Sequence, residues 1–344
     1  MQTLKAIMGA AVLAAVIAAG DANFARAETV LRFNNVLPPT HVIRKRGWDA
    51  WARDVAKATG NRVRIEFTTK ALGILPRAFD LARDGVADIG WGVQGYTPGR
   101  FISAEVVEVP FLSETAEALS VAYWRVYKKH FEKAAEYKGV HLLGLHTHSP
   151  GDVFTAKTPI SKLADLRGLK IRVVNRATSQ ILRSYGGAPV REPAPKVKQL
   201  LSKGVIDGTF FTADAINSFR LGEQIRHWLR FSDGLYNTSF FMVVNLKTWN
   251  TIPAIDRKAV MSVSGEHFAR LMGQLWDESQ RDGVKLLFLN GVRPKEPSAT
   301  QMKALRAKFA GFEANWIRKV EARGIDGGAA LKMLRAEVAA YKIK

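Results

Sequence analysis

Apolar and polar residues along this chain follow two alternating patterns. Residues 63–67 alternate apolar with polar side chains, as a half-buried strand does. Trp48, Trp51 and Val55 recur instead at the spacing of one helix face. Further strand patterns cover residues 30–33, 86–93, 141–145, 170–173, 205–211 and 236–244. Because strand and helix patterns alternate repeatedly, we expect an α/β fold with largely parallel sheets.

Residues 253–288 form the longest helical pattern. They contain no internal proline and would span ~50 Å as one unbroken helix at 1.5 Å per residue. Gly265, Gly273 and Gly283 within this stretch weaken the prediction of continuity. One long helix and several shorter ones both remain open.

The first 27 residues have the pattern of an export signal. Lys5 precedes an uncharged apolar run over residues 6–20, and residues 25–27 (ARA) supply the small–x–small cleavage pattern. A membrane anchor is the alternative, but Asp21 ends the run short of the ~20 apolar residues that a span needs. We therefore predict a cleaved signal peptide over residues 1–27 and an exported product.

Composition narrows the function classes. The 344 residues include 51 Lys and Arg, 31 Asp and Glu and no Cys, which gives a formal net charge of +20. Because it has no Cys, the chain cannot form disulfides or zinc–thiolate sites, and it cannot use thiol catalysis. The basic residues are spread along helices among acidic ones rather than concentrated in one stripe. This pattern favours solvated helix faces and argues against a nucleic-acid partner.

Two common enzyme motifs are absent: the sequence contains no Gly-x-Ser-x-Gly and no P-loop. Asp88 and Asp207 resemble a carboxylate pair, although capping or turn roles explain each of them. We expect no catalytic residue and no cofactor. The alternative is an exported hydrolase acting on a small anionic substrate.

Several short motifs, in order, resemble the periplasmic solute receptors of TRAP transporters, the DctP type. They are residues 36–41 (VLPPTH), 72–73 with Arg77, Gly85 and residues 88–89, 109–112 (VPFL), 163–173 (LADLRGLKIRV), 204–208 (GVIDG), and Asn245 with Trp249. The resemblance implies two lobes of the periplasmic-binding-protein kind, a ligand cleft between them and a long helix crossing both. We expect residues 28–147 plus about 240–284 in lobe I, and residues 148–239 plus about 285–344 in lobe II with the C-terminal helices.

The resemblance also implies a binding site built around Arg172, where the family has its carboxylate-binding arginine. A guanidinium offers a planar fork to a carboxylate, and a charge on an apolar strand end needs a reason. Asn175 follows at the next turn, where it could bind the ligand or cap a helix. Trp91 and Gln94 lie at the end of a buried strand, where open α/β sheets bind ligands. Further candidates are Tyr96 and Arg100.

Phe210 and Phe211 occupy a position where many relatives carry a polar ligand-binding residue and some a metal-sharing carboxylate. Phenylalanine favours an apolar or aromatic ligand body, although strand alternation predicts that one of the pair is core. His146 or His148 could replace a second arginine of the family, and His41 is a loop candidate. We expect no metal, because no ligand cluster accompanies the His-x-His pair.

The resulting prediction is a receptor that captures a small organic carboxylate, with an aromatic or apolar body, and delivers it to a TRAP membrane permease. The sequence does not identify the acid, and monomer and dimer both remain open.

Overall fold

The computed structural model describes residues 28–232 and 234–342. The predicted signal peptide, residues 1–27, lies outside the described residues. Among those that are described, no helix combines the length and the apolar character needed to cross a membrane.

The first sheet has five strands in the order β2-β1-β3-β10-β4. Their bounds are Thr29–Phe33 (β1), Val63–Phe67 (β2), Ile89–Val93 (β3), Val140–Thr147 (β4) and Ser239–Asn245 (β10). Strand β1 pairs in parallel with β2 and β3, whereas β10 runs antiparallel to β3 and β4.

The second sheet has six strands in the order β11-β9-β5-β8-β6-β7. Their bounds are Asp152–Thr155 (β5), Lys170–Val173 (β6), Ala188–Arg191 (β7), Gly208–Phe211 (β8), His227–Leu229 (β9) and Pro294–Lys295 (β11). Strand β6 is parallel to β7 and β8, and β5 is antiparallel to β8 and β9.

The α/β prediction is confirmed, but both sheets are mixed rather than largely parallel. The exceptions are the strands reached directly from the other sheet, since β5 follows β4 of the first sheet and β10 follows β9 of the second. A chain that passes straight from one sheet into the other enters without a crossover helix to reverse its direction, so the strand runs antiparallel to its neighbours.

Eleven α-helices lie in the described part of the chain. Their bounds are Asp49–Ala58 (α1), Ala78–Arg83 (α2), Ala116–Val126 (α3), Arg176–Ser184 (α4), Val197–Ser202 (α5), Ala213–Ser218 (α6), Leu246–Thr251 (α7), Ala254–Ser262 (α8), Gly265–Leu289 (α9), Ala299–Glu321 (α10) and Gly327–Ala340 (α11).

The long helical stretch at residues 253–288 divides into α8 and α9. Val263 and Ser264 separate them, and Gly265 has a φ of +56°, a conformation that glycine adopts without strain. The remaining helix α9 still has 25 residues and packs against α3 on one side and α6 on the other. A long helix that crosses both lobes is therefore confirmed.

Two glycines allow this close approach. A Cβ built on Gly273 would lie 2.4 Å from the Glu117 Cα at the start of α3, and one on Gly283 would lie 2.4 Å from the Ala213 carbonyl at the start of α6. The glycines that weakened the helix prediction are therefore contact points between α9 and the two lobes.

The C-terminal helices do not pack where we expected them. Trp316 and Val320 of α10, with Leu331 and Leu334 of α11, join the hydrophobic core around α3 and β4 of the first lobe. Leu305 and Phe309 of α10 pack in the core of the second sheet. Helix α10 therefore packs in both cores, and α11 packs in the first. The prediction had placed residues 285–344 in lobe II. The lobe boundaries stay a prediction.

Candidate functional site

A cavity lies between the two sheets. Its walls come from the carboxyl ends of β3, β6 and β8, from the chain segments that join the lobes and from the middle of α9. Open α/β folds bind ligands at such strand ends. The lining residues are Leu37, His41, Leu75, Trp91, Val93, Tyr96, His148, Arg172, Val174, Ala194, Phe211, Thr212, Asp214, Ala215, Phe219, Tyr236, Thr238, Phe240 and Trp276.

Arg172 of β6 is 1% exposed, and three hydrogen bonds orient its guanidinium. Nε donates to the Glu192 carbonyl (2.9 Å), Nη1 to the Phe210 carbonyl (3.1 Å) and Nη2 to the Tyr96 hydroxyl (2.9 Å). These bonds use three of its five N–H groups, and among the described residues the other two have no partner. A buried cation with two free donors is suited to binding a carboxylate.

Tyr96 joins the two lobes at this point. It follows β3 of the first sheet, yet its hydroxyl oxygen accepts hydrogen bonds from Arg172 and from the Ala194 amide (2.9 Å), both in the second lobe. With both lone pairs used, the hydroxyl has only its own proton left to donate. Tyr96 can therefore donate to an anion held by Arg172 while it holds the lobes together.

Aromatic rings form most of the remaining wall. The Trp91 ring stacks on Phe240 at 5.0 Å between centroids, and Phe240 stacks on Trp276 at 5.7 Å. The Phe211 ring lies 4.8 Å from the Arg172 guanidinium carbon, within the range of a cation–π contact. Such walls suit a flat apolar ligand body.

Two of the predicted histidines line the cavity with opposite hydrogen-bonding character. His148 Nδ1 lies 2.5 Å from the Ser149 carbonyl, so Nδ1 carries the proton and Nε2 can accept. His41 Nδ1 accepts from the Ile43 amide (3.3 Å), so Nε2 carries the proton and can donate. Burial lowers the pKa of each histidine to about 4, so both are neutral near pH 7.

His146 lies outside the cavity, behind the aromatic wall. It stacks on Phe240 and accepts from the Trp91 indole N–H at Nε2 (2.9 Å). Burial lowers its pKa to about 3. We therefore expect His146 to position Trp91 rather than to touch a ligand.

Phe210, Gln94 and Asn175 also lie outside the cavity, for different reasons. The Phe210 side chain points into the core of the second sheet, as strand alternation predicts when Phe211 faces the cavity. Gln94 is buried and bonds the Tyr123 and Tyr137 hydroxyls. Asn175 caps α4, where its side-chain oxygen accepts from the Thr178 amide, and its Nδ2 donates to the Asn237 carbonyl. Direct ligand contact is not expected of these three.

The cavity-lining polar residues missed from sequence include Asp214, Tyr236, Thr238 and Trp276. Asp214 follows β8 at the start of α6, so the strand-end rule that selected Trp91 could also have selected it. The other three come from the segment between the lobes and from α9, where no local pattern distinguishes a cavity-lining side chain from a core one.

Comparison with known proteins bears on this arrangement. The family model of the bacterial extracellular solute-binding protein, family 7 (DctP), matches residues 33–319. A Comamonas testosteroni protein described as the outer membrane transporter protein TsaT is 28% identical over 351 residues, which cover 99% of this chain and 100% of that protein.

Solved structures are also similar. A TRAP periplasmic solute-binding protein from Bordetella bronchiseptica, with bound (R)- and (S)-mandelate, is 35% identical with a TM-score of 0.88, over 90% of this chain and 99% of that one. A TRAP solute-binding protein from Rhodoferax ferrireducens, in complex with copurified benzoate, is 30% identical with a TM-score of 0.84, over 90% of this chain and 98% of that one. A marine metagenome TRAP solute-binding protein specific for aromatic acid ligands, in complex with 3-hydroxybenzoate, is 31% identical with a TM-score of 0.84, over 92% and 100%.

Proposed function

This chain belongs to family 7 of the bacterial extracellular solute-binding proteins and is a solute receptor of a TRAP transporter, and from that premise we propose that it captures an aromatic monocarboxylate. The carboxylate binds the two free N–H groups of Arg172 and the Tyr96 hydroxyl. The ring lies among Trp91, Phe211, Phe240 and Trp276. The closed receptor then delivers the acid to the membrane permease.

The observation that carries this proposal is a single buried guanidinium in a cavity with mainly aromatic walls. Arg172 is the sole Lys or Arg among the cavity-lining residues, all of which are described, and the two lining histidines are neutral. A dicarboxylate would bring a second negative charge into apolar surroundings without a cation to pair with it, and that is costly. One carboxylate on an apolar body fits better.

Three similar proteins support an aromatic body. The Bordetella structure holds mandelate, the Rhodoferax one benzoate and the metagenome protein 3-hydroxybenzoate. All three ligands are monocarboxylates that contain a benzene ring. Their single carboxylate matches the single buried guanidinium of this cavity, and their ring matches its aromatic lining residues.

We also propose that residues 1–27 are a cleaved signal peptide, that the protein acts in the periplasm and that it is not an enzyme. The hydrolase alternative relied on Asp88 and Asp207. Asp88 Oδ2 accepts from the Arg32 amide (2.8 Å) and Asp207 Oδ2 from the Lys170 amide (2.7 Å). Neither lines the cavity, and both tie neighbouring strands together, so nothing favours acid–base work for them.

A thermal-shift screen of purified residues 28–344, followed by isothermal titration calorimetry, tests the proposal. The panel pairs benzoate, mandelate and phenylacetate with succinate, pyroglutamate and glucuronate. A bound ligand raises the melting temperature by mass action, and we expect the rise only with the aromatic acids. Tighter binding of succinate or of a sugar acid would contradict the proposal, and turnover of any acid would favour the hydrolase.

A further inference from the structure

We infer that the natural ligand also carries a hydrogen-bond donor on its ring, a hydroxyl or an amino group, and that the Asp214 carboxyl accepts from it. This inference rests on the proposed function. It specifies the substitution of the aromatic acid and a second recognition point, separate from Arg172.

Asp214 stands out because it is a fully buried carboxyl without a partner. Its relative exposure is 0%, and neither Oδ1 nor Oδ2 forms a well-aligned hydrogen bond with a described donor. It forms no ion pair with a described Lys, Arg or His either. Its backbone N–H donates to Gln280 Oε1 on α9 (3.2 Å), so only the side chain is unsatisfied.

A buried polar group without a partner destabilises a protein, and such groups are rare unless something else satisfies them. Burial raises the pKa of Asp214 to about 7, more than the nearby Thr212 hydroxyl and Ala215 amide lower it. Two comparable carboxyls, the buried Asp152 and the half-buried Asp277, are paired. Asp152 accepts from the Trp228 indole and the Phe231 amide, and Asp277 accepts from two amides and Ser149. Asp214 differs from both because it faces the cavity.

Asp214 forms no ion pair with Arg172, the cation at which the ligand carboxylate is proposed to bind. Arg172 bonds the Phe210 carbonyl, whereas Asp214 lies four residues further along the chain, on α6. A ligand carboxylate beside Asp214 would meet a carboxyl rather than a cation. The Asp214 end therefore suits a group that donates a hydrogen bond.

A second unsatisfied atom lines the same cavity. Thr238 lines the cavity, and its hydroxyl is buried and has no partner among the described residues. Because a hydroxyl can both donate and accept, it can complete the hydrogen bonding of a ligand hydroxyl that donates to Asp214. Two polar side chains without a hydrogen-bond partner in a largely apolar cavity indicate a polar substituent on the ligand.

Calorimetric titration with matched ligands tests the inference. Benzoate is compared with 3- and 4-hydroxybenzoate, 3- and 4-aminobenzoate, and 3- and 4-methoxybenzoate, which keeps the oxygen but cannot donate. In the wild-type protein we expect at least one hydroxy or amino acid to bind at least tenfold more tightly than benzoate, and no methoxy acid to gain. In Asp214→Ala the ratio should fall to within about threefold of unity. Asp282→Asn, on the exposed face of α9, removes the same charge and should keep the wild-type ratio.

The melting temperature without ligand provides an independent readout. If Asp214 serves the ligand, Asp214→Asn and Asp214→Ala should melt at or above the wild-type temperature at pH 8, since they remove an unpaired buried charge. A structural carboxyl would give a lower melting temperature, which would overturn the inference. Equal binding of benzoate and every substituted acid would overturn it while leaving the proposed function intact. If no aromatic acid binds at all, the proposed function fails and this inference with it.

Discussion

Removal of one hydroxyl, in Tyr96→Phe, tests whether ligand binding and lobe closure are coupled. The Tyr96 oxygen accepts from Arg172 Nη2 and from the Ala194 amide, each at 2.9 Å, and both bonds join the two lobes. Phenylalanine keeps the ring that lines the cavity and loses only these bonds and the proton available to the ligand. Any change in affinity therefore reports on the hydroxyl.

The expected loss follows from those two bonds. A hydrogen bond from a charged donor contributes about 1.5–3 kcal/mol and one from a neutral amide about 0.5–1.5 kcal/mol. Their loss lowers the stability of the closed form by about 2–4 kcal/mol. At 1.4 kcal/mol per tenfold change, the affinity for the best aromatic acid should fall by about 30-fold to several-hundred-fold.

Calorimetry gives the dissociation constant, and small-angle X-ray scattering with saturating ligand shows whether the lobes still close. Tyr185→Phe is the matched control, since Tyr185 lies outside the cavity and its ring packs on Phe309. A Tyr96→Phe affinity within threefold of wild type, with normal closure, would refute the coupling.

Three further predictions concern the helices and the carboxyls of Asp214 and Asp277. Gly283→Ala should lower the melting temperature and weaken ligand binding, because the added Cβ would lie 2.4 Å from the Ala213 backbone. Gly311→Ala is the control, since the added Cβ on α10 meets no other atom and should raise the melting temperature. Asp214→Asn should gain stability relative to wild type at pH 8 but not at pH 4 in denaturant titrations. The raised pKa of about 7 makes the wild-type protein lose stability as pH rises from about 4 to 7, by about 1–4 kcal/mol. Asp277→Ala should cost about 2–4 kcal/mol in the same assay, because it removes acceptors from two amides of α3 and from Ser149, and equal stability would contradict that role.

Much of the architecture could be predicted from the sequence because it depends on local patterns. Strand β6 has the bounds that its apolar pattern predicted. Arg172 was selected from the family resemblance, and its charge on an apolar strand end supported that choice. Alternation along β8 predicts that Phe210 and Phe211 face opposite ways, as they do. The alternation rule for strands gives the wrong result for His146 and His148. The rule places both side chains on the same face of the sheet. Strand β4 ends at Thr147, however, so His148 lies beyond the strand and reaches the cavity.

Other features depend on contacts between distant segments, which local patterns do not contain. Tyr96 is important because residues 172 and 194 of the other lobe meet it. Asp214 looks like an ordinary acid in the first turn of a helix, and only its burial without a partner distinguishes it. The glycines of α9 looked like helix breakers, and only the packing of α3 and α6 explains Gly273 and Gly283.

The central claim is that Arg172 holds the carboxylate of an aromatic acid, and the affinity of Arg172→Lys tests it most directly. Lysine keeps the positive charge but loses the planar fork that donates two parallel hydrogen bonds. With an unchanged circular-dichroism spectrum as the folding control, the account predicts that calorimetry finds the best aromatic acid bound at least about 100-fold more weakly, which corresponds to about 3 kcal/mol. A dissociation constant within threefold of the wild-type value would contradict it.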